Sequence, residues 1–192
     1  MSHILSETIH MKINNKRVSF TQLICLAVYY SVARYLPESN RFFKIGGIIR
    51  RFLCKRIFYH CGKNCNIEKG AWFGTGISIS LGDYSGIGIN AHIPYDTIIG
   101  DYVMMGPNCF ILDGNHKVDD ISIPMCQQGM CPRKKTIIGD DVWIGRNVSF
   151  TPGRTIKKGS IIAMNCVLTK DFPEYSIVGG NPSRLIRSRK NE

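Results

Sequence analysis

Several features are missing from this chain of 192 residues, and each absence narrows the reading. Eight cysteines are present but no C-x-x-C pair. Cys61 and Cys65 have three residues between them and Cys126 and Cys131 have four, a spacing that signals zinc only weakly, so no metal is expected. The uncharged run Val18–Ala33 ends at Arg34 and Leu36-Pro37, short of the roughly 18–20 apolar residues that a membrane span needs. It reads either as a buried helix packed on the body of the protein or as an interfacial helix. Residues 1–17 are polar and irregular and lack the charged and apolar sections of a secretory leader. Reduced thiols and a cytoplasmic location are therefore expected.

Acid is the fourth absence. Between Arg41 and Lys63 stand Arg41, Lys44, Arg50, Arg51, Lys55, Arg56 and Lys63 without one Asp or Glu, interleaved with Phe42, Phe43, Ile45, Ile48, Ile49, Phe52, Leu53, Ile57 and Phe58. Positions 45, 49, 52 and 53 recur at helical spacing. A basic amphipathic helix can lie on the inner face of an anionic membrane, and a solvated cationic surface fits equally. The formal net charge of +11 points to anionic partners. No base-reading module is visible, so nucleic acid is not expected. Hydrophobic content of 44% and charged content of 20% fit a soluble globular chain long enough for one sizeable core.

What is present is a period of six. From Ile138 the apolar residues are Ile138, Ile144, Phe150, Ile156, Ile162 and Leu168, with Val142, Val148, Arg154, Ser160 and Cys166 two places before the next. Six helical steps turn through 600°, which would deal this column to three faces of a helix. Short strands accommodate it, since residues two apart point the same way. The chain then coils and buries a core only by stacking, as a hexapeptide parallel β-helix. Gly139, Gly145, Gly153 and Gly159 fall where corners ask for unusual backbone angles. The solenoid begins near Cys61-Gly62, with Ile67, Phe73 and Ile79 in step. After a two-residue slip, Leu81, Ile87, Ile93, Ile99, Met105 and Ile111 resume it. The small slots are Ala71, Ser85, Ala91, Thr97, Val103 and Cys109, so Cys109 and Cys166 read as core. About five three-sided coils result.

The organisation expected is a helical region over 1–60 and a solenoid over 61–192, broken by a loop over 113–136. A loop of that length inside a compact solenoid marks function or disorder. It carries the only loop histidine, His116, beside Gly114, Asn115, Asp119 and Asp120. After Pro173, Asn181-Pro182 reads as the cap and first position of a short basic C-terminal helix bearing Arg184, Arg187, Arg189 and Lys190.

Val142-Trp143-Ile144-Gly145, Pro152-Gly153, Thr169-Lys170-Asp171 and Gly180-Asn181-Pro182-Ser183-Arg184, in that order after a His-bearing loop, resemble the signature of hexapeptide-repeat acetyltransferases. Among these, the sugar and polysaccharide O-acetyltransferases related to galactoside and maltose O-acetyltransferases are the nearest. The resemblance covers about residues 60–188 and implies an all-β, left-handed parallel β-helix, a homotrimer and acetyl-CoA as acyl donor. The implied acceptor is a sugar or a capsule, lipopolysaccharide or exopolysaccharide unit, in some cases lipid-linked. His116 matches the family's catalytic histidine. Imidazole suits a general base because it titrates near neutral pH. Asp119 or Asp120 would orient its ring or simply face solvent.

By the same resemblance Trp143 flanks the pantetheine arm of coenzyme A, unless it only fills the solenoid. Gly145, Ala163 and Met164 give backbone contacts, and Thr169, Lys170 and Arg184 meet phosphates. The backbone N–H near Gly145 is a candidate oxyanion donor. Asn90, His92 and Asn115 fall on the acceptor side, with His92 also readable as filler. The chain departs from the family pattern at Arg146, where a small polar residue is usual, and at Ala163-Met164-Asn165-Cys166, where a run of still smaller residues is usual. An amino-sugar N-acetyltransferase on the same scaffold is the alternative, and a non-catalytic binding module is a further one. A serine acetyltransferase lacks support in the short basic N-terminal region. Zinc-dependent carbonic anhydrases of this fold keep a second loop histidine that is absent here.

Overall fold

The computed structural model describes residues 11–13, 16–41 and 44–190. Phe42 and Phe43, and His3 and His10, lie outside the described residues. The N-terminal part, expected to be irregular, contains an antiparallel pair, β1 (Met11–Ile13) and β2 (Lys16–Val18). Helix α1 (Phe20–Ser31) follows, opened by a capping box: the Gln22 amide donates to Ser19 Oγ and the Ser19 amide to Gln22 Oε1. Helix α2 (Ile45–Ile57) packs against α1.

The solenoid then winds through five coils. The first holds β3 (His60–Cys61) and β4 (Asn66–Ile67), the second β5 (Ser80–Leu81) and β6 (Gly86–Ile87). The third holds β7 (Ile98–Ile99), β8 (Met104–Met105) and β9 (Phe110–Ile111). The fourth holds β10 (Ile137–Ile138), β11 (Trp143–Ile144) and β12 (Ser149–Phe150), and the fifth β13 (Thr155–Ile156), β14 (Ile161–Ile162) and β15 (Val167–Leu168). Strands stack in parallel on three faces. Face one runs β3-β5-β7-β10-β13; face two carries β4-β6 and then β8-β11-β14; face three carries β9-β12-β15, extended downward by single bridges from Phe110 to His92 and from His92 to Trp72. The second residue of nearly every strand is buried, as the six-residue period requires, and the small slots before them are buried too. Arg154 is the exception: it leaves the core and donates to the Thr169 and Pro152 carbonyls.

The corner glycines divide into two kinds. Gly153 and Gly159 do take positive φ, at 70° and 69°. Gly139 and Gly145 do not; they are glycine because the coils touch there, and a Cβ on Gly145 would lie 2.6 Å from the Met164 amide nitrogen. The left-handed positions beside them are filled by Asp141 and Asn147. Asparagine tolerates that conformation, and it also bonds coil to coil: Asn90 donates to Asn108, Asn108 to Asn147 and Asn147 to Asn165, at 3.3, 3.1 and 3.1 Å.

The C-terminal helix expected from Asn181-Pro182 does not form. The Asn181–Pro182 peptide is cis, and Arg184–Ser188 is a strand, β17, antiparallel to β16 (Ser176–Gly179), which itself continues face two above β14. The outer edge of β16 offers unpaired backbone groups, and a returning strand satisfies them, whereas an isolated turn of helix would not.

At the other end the first coil has no coil below it. The helices serve instead. Tyr29 Oη donates to the Ala71 carbonyl (2.9 Å), Tyr30 Oη to that of Gly74 (2.8 Å), Arg34 Nε to that of Gly70 (3.1 Å) and Arg50 Nε to that of Ile67 (2.6 Å). Tyr29, Cys54, Ile57 and Phe58 join Ile67 and Phe73 in one continuous core. Arg50, grouped by sequence with the surface cations, is fully buried.

Candidate active site

The loop that interrupts the solenoid leaves face three after Ile111 and rejoins face one at Ile137. Its base is clamped by Arg133, which pairs with Asp113, donates to Asp96 at 2.8 Å and lies over the Tyr95 ring at 4.1 Å. His116 sits just past this clamp, with its backbone bridged antiparallel to Met130. The Cys131 amide donates to the Asn115 carbonyl (2.8 Å) and the Lys117 amide to the Gly129 carbonyl (3.0 Å). His116 is thus held by main-chain bonds on both sides, while its side chain is exposed. Neither Asp119 nor Asp120 bonds the imidazole. Asp120 accepts from the Ser122 amide and hydroxyl at 2.9 and 2.5 Å, which organises the turn and holds its carboxyl below the usual range.

Trp143, Gly145, Ala163 and Met164 come together on face two and the corner that follows it. Trp143 points outward from β11, half-exposed, in register with Met104 below and Ile161 above. Ala163 donates to Val178, and Gly145 donates to the Ile162 carbonyl at 2.8 Å. The Gly145 N–H is therefore committed to the ladder and is not a free oxyanion donor. Thr169 stands at the opposite edge of face three, tied to the C-terminal turn: its amide donates to Ser183 Oγ at 3.1 Å, and the two hydroxyls lie 3.1 Å apart. Arg184 follows Ser183 directly and is exposed. Lys170 lies 5.6 Å from the Phe172 ring centre. Ser183 is buried and bonded; it stands within the Gly180–Arg184 motif, but its role depends on a turn that an Asn-Pro helix start would not make.

Asn90 and His92 have partners of their own rather than His116. Asn90 belongs to the corner ladder. His92 is stacked between Trp72 (ring centres 4.0 Å apart) and Phe110 (4.5 Å), the filler role. Burial lowers its pKa, Arg34 lowers it further, and Asp113 opposes both. Among the described residues no group of three His, Cys, Asp or Glu could hold a metal ion, and Cys126 and Cys131 are exposed free thiols. A pocket of about 320 Å³ lies elsewhere, against α2 and the first coil. The residues above lie instead on open faces of a single chain.

Comparison with known proteins bears on this arrangement. Residues 135–170 match the family described as bacterial transferase hexapeptide, six repeats. Galactoside O-acetyltransferase of Escherichia coli is 31% identical over 72% of this chain and 68% of its own length. A probable acetyltransferase of Mycobacterium tuberculosis is 36% identical over 59% of this chain, which spans only 38% of that protein. A putative lipopolysaccharide biosynthesis O-acetyl transferase of E. coli is 26% identical over 76% of this chain and 88% of its own. Among solved structures, a hexapeptide-repeat acetyltransferase of Vibrio cholerae complexed with acetyl coenzyme A superposes with a TM-score of 0.71 at 28% identity, covering 89% of this chain and 86% of that one. A galactoside acetyltransferase in complex with coenzyme A gives 0.72 at 28%, covering 88% and 81%. With the stacked hexads, the interrupting loop and the ordered C-terminal motifs, these likenesses show that the chain belongs to the hexapeptide-repeat acetyltransferases, among relatives of the sugar O-acetyltransferases.

Proposed function

We propose that this protein transfers acetyl from acetyl-CoA to a hydroxyl of a sugar unit in a bacterial surface polysaccharide, such as capsule, lipopolysaccharide or exopolysaccharide. The observation that carries the reading is the outward strip from Trp143 through Gly145, Ala163 and Met164, in a chain whose solved relatives include complexes with acetyl coenzyme A and coenzyme A. Gly145 lets neighbouring coils approach too closely for any side chain, leaving backbone and Trp143 to line the thioester arm. Thr169, Lys170 and Arg184 supply a hydroxyl and two cations for its phosphates. The polysaccharide acceptor rests on the likeness to the lipopolysaccharide O-acetyl transferase.

The chemistry asked of this chain is modest. The His116 imidazole takes the proton of the acceptor hydroxyl as the oxygen attacks the thioester carbonyl. The tetrahedral intermediate then collapses, the C–S bond breaks, and the proton returns from His116 to the departing sulfur. In one chain His116 and Trp143 lie on different faces, and Met104, Trp143 and Met164 are exposed apolar side chains. Both facts fit a homotrimer in which neighbouring copies supply the two halves of each site. Acetyl-CoA is a cytoplasmic metabolite, so the reaction belongs there; no helix among the described residues is long and apolar enough to cross a membrane.

The test is release of coenzyme A from acetyl-CoA with oligosaccharide and amino-sugar acceptors, comparing the protein with His116→Ala. A positioned base contributes about 10²–10⁴-fold, so the variant's turnover should fall by that range while coenzyme A affinity holds. Turnover within about threefold of the parent, far less than loss of a base costs, makes His116 structural. Faster transfer to the amine of an amino sugar than to any hydroxyl replaces the acceptor class.

A further inference from the structure

We infer that the outer face of the paired helices α1 and α2 docks the protein on an anionic phospholipid bilayer. Both helices bury one stripe on the first coil. Tyr29 of α1 reaches Ala71, and Arg50 of α2 reaches Ile67. The helices also touch each other, and each keeps a further apolar stripe that neither the coil nor the neighbouring helix covers. On α1 that stripe is Phe20, Ile24 and Val28, four residues apart; on α2 it is Ile45, Ile48 and Phe52. All six are between 41% and 58% exposed, although the same helices offer Cys25, Tyr29, Leu53, Cys54 and Ile57 to the core. A helix pair apolar on both sides has a second partner to meet.

Charge says which partner. Residues 18–67 hold eight of the 25 basic residues and only one of the 14 acidic ones, Glu38, and the next acid along the chain, Glu68, is held against the buried Arg50. Glu38 is itself paired with Arg41 at 3.4 Å. Lys44, Lys55 and Arg56 are exposed around the apolar stripe, and the Arg56 guanidinium lies 3.7 Å from the Phe52 ring centre. A pocket lined by Lys44, Ile48 and Arg51 places cations against the apolar stripe at its edge. Two copies meeting through this face would bring like charges together. An anionic bilayer instead accepts the apolar stripe between its headgroups while the long basic side chains reach phosphate. Arg50, buried beneath, takes no part. The surface stands independently of the acetyl-transfer reading.

The test uses the full chain and sedimentation with vesicles of phosphatidylcholine alone or with added phosphatidylglycerol. Each basic residue near an anionic surface strengthens binding about fivefold at low salt. Binding should therefore require phosphatidylglycerol and fade as salt is raised. Lys55→Glu with Arg56→Glu should weaken it by at least about tenfold, and Ile48→Ser with Phe52→Ser should abolish it, with melting temperature checking that the exposed substitutions leave the fold intact. No vesicle binding, or equal binding to neutral and anionic vesicles at low salt, overturns the inference. So does a change of oligomeric mass in the Ile48→Ser, Phe52→Ser variant with vesicle binding unchanged, which makes the face a contact between copies.

Discussion

Replacing Arg50 with methionine should release the helical cap from the solenoid. Arg50 is 0% exposed, and its guanidinium serves the ends of three segments at once. Nε donates to the Ile67 carbonyl of the first coil at 2.6 Å. One terminal nitrogen donates to the Ala33 and Leu36 carbonyls at 3.3 and 3.0 Å, the other to the Pro37 carbonyl and Ser39 Oγ at 3.1 and 3.2 Å, with Glu68 at 3.8 Å. Burial lowers the Arg50 pKa and Glu68 counters it. Methionine keeps most of the volume but leaves these acceptors without their donor. Each unsatisfied buried acceptor costs about 1–3 kcal/mol, and breaking a buried ionic group's network typically costs about 3–5 kcal/mol in all, since the acceptors relax together. For a chain of this size, where 1 kcal/mol moves the melting temperature by about 2–4 °C, the variant should melt about 6–20 °C lower. Arg50→Lys should fall between, because one ammonium cannot span the fork's acceptors. Calorimetry measures the shift, and limited proteolysis should show new cleavage before residue 58 while the solenoid persists. The neighbouring Arg51→Met is the control, expected within about 0.5 kcal/mol. Arg50→Met melting within the error of Arg51→Met refutes the idea that Arg50 binds the cap to the first coil.

The same junction should be acid-sensitive. Burial alone would raise the Glu68 pKa, but donation from the Ser39 amide and the Asn66 side-chain amide outweighs it, so the folded value lies below the ordinary one. A depressed carboxylate contributes stability that is present above the unfolded value of about 4.3 and is lost as pH falls through the folded value; Glu68→Gln should flatten that acid limb in melts recorded across pH. His92, also depressed, contributes stability above about pH 6.5 that is lost as pH falls. His92→Asn should remove that slope, and an unchanged slope would assign it to other groups. Gly145→Ala puts a Cβ 2.6 Å from the Met164 amide nitrogen, so it should cost about 1–3 kcal/mol and weaken coenzyme A binding by calorimetric titration; unaltered melting and binding would mean that the corner yields freely.

The solenoid was legible in sequence because its signal is strictly local. A period of six with apolar and small residues two apart fits stacked strands and defeats a helix, so strand type, core residues and coil number all follow from counting. Helix α1 was legible as a helix packed on the body of the protein; α2 was legible as a helix but not as part of the cap. Of positions 45, 49, 52 and 53, which recur at helical spacing, the first three face outward and only Leu53 turns inward, with Gly46, Arg50 and Ile57, since the open first coil needs hydrogen-bond donors as much as hydrocarbon. No periodicity distinguishes a buried arginine from a surface one. The C-terminal turn failed for a related reason. Asn-Pro is an ordinary helix start, and only the free edge of β16 above the fifth coil makes a returning strand the better use of the next residues.

Candidate site residues divide along the same line. Gly145 and Ala163 occupy the same corner position in successive coils, with Met164 next in the chain, so their adjacency follows from the repeat itself. Thr169 depends on Ser183, fourteen residues away, reached through a turn that the repeat does not encode. Asn90 shows how a residue type can mislead. Asparagine near an expected acceptor side suggests sugar binding, but Asn108, Asn147 and Asn165 stand at the same corner of the next three coils, all with φ between 53° and 59°. What places asparagine there is the left-handed corner and the coil-to-coil bond. The six-residue repeat predicts that ladder wherever the corner recurs. Lone asparagines outside the ladder, of which Asn115 in the His116 loop is one, are therefore better candidates for contact with an acceptor than those within it.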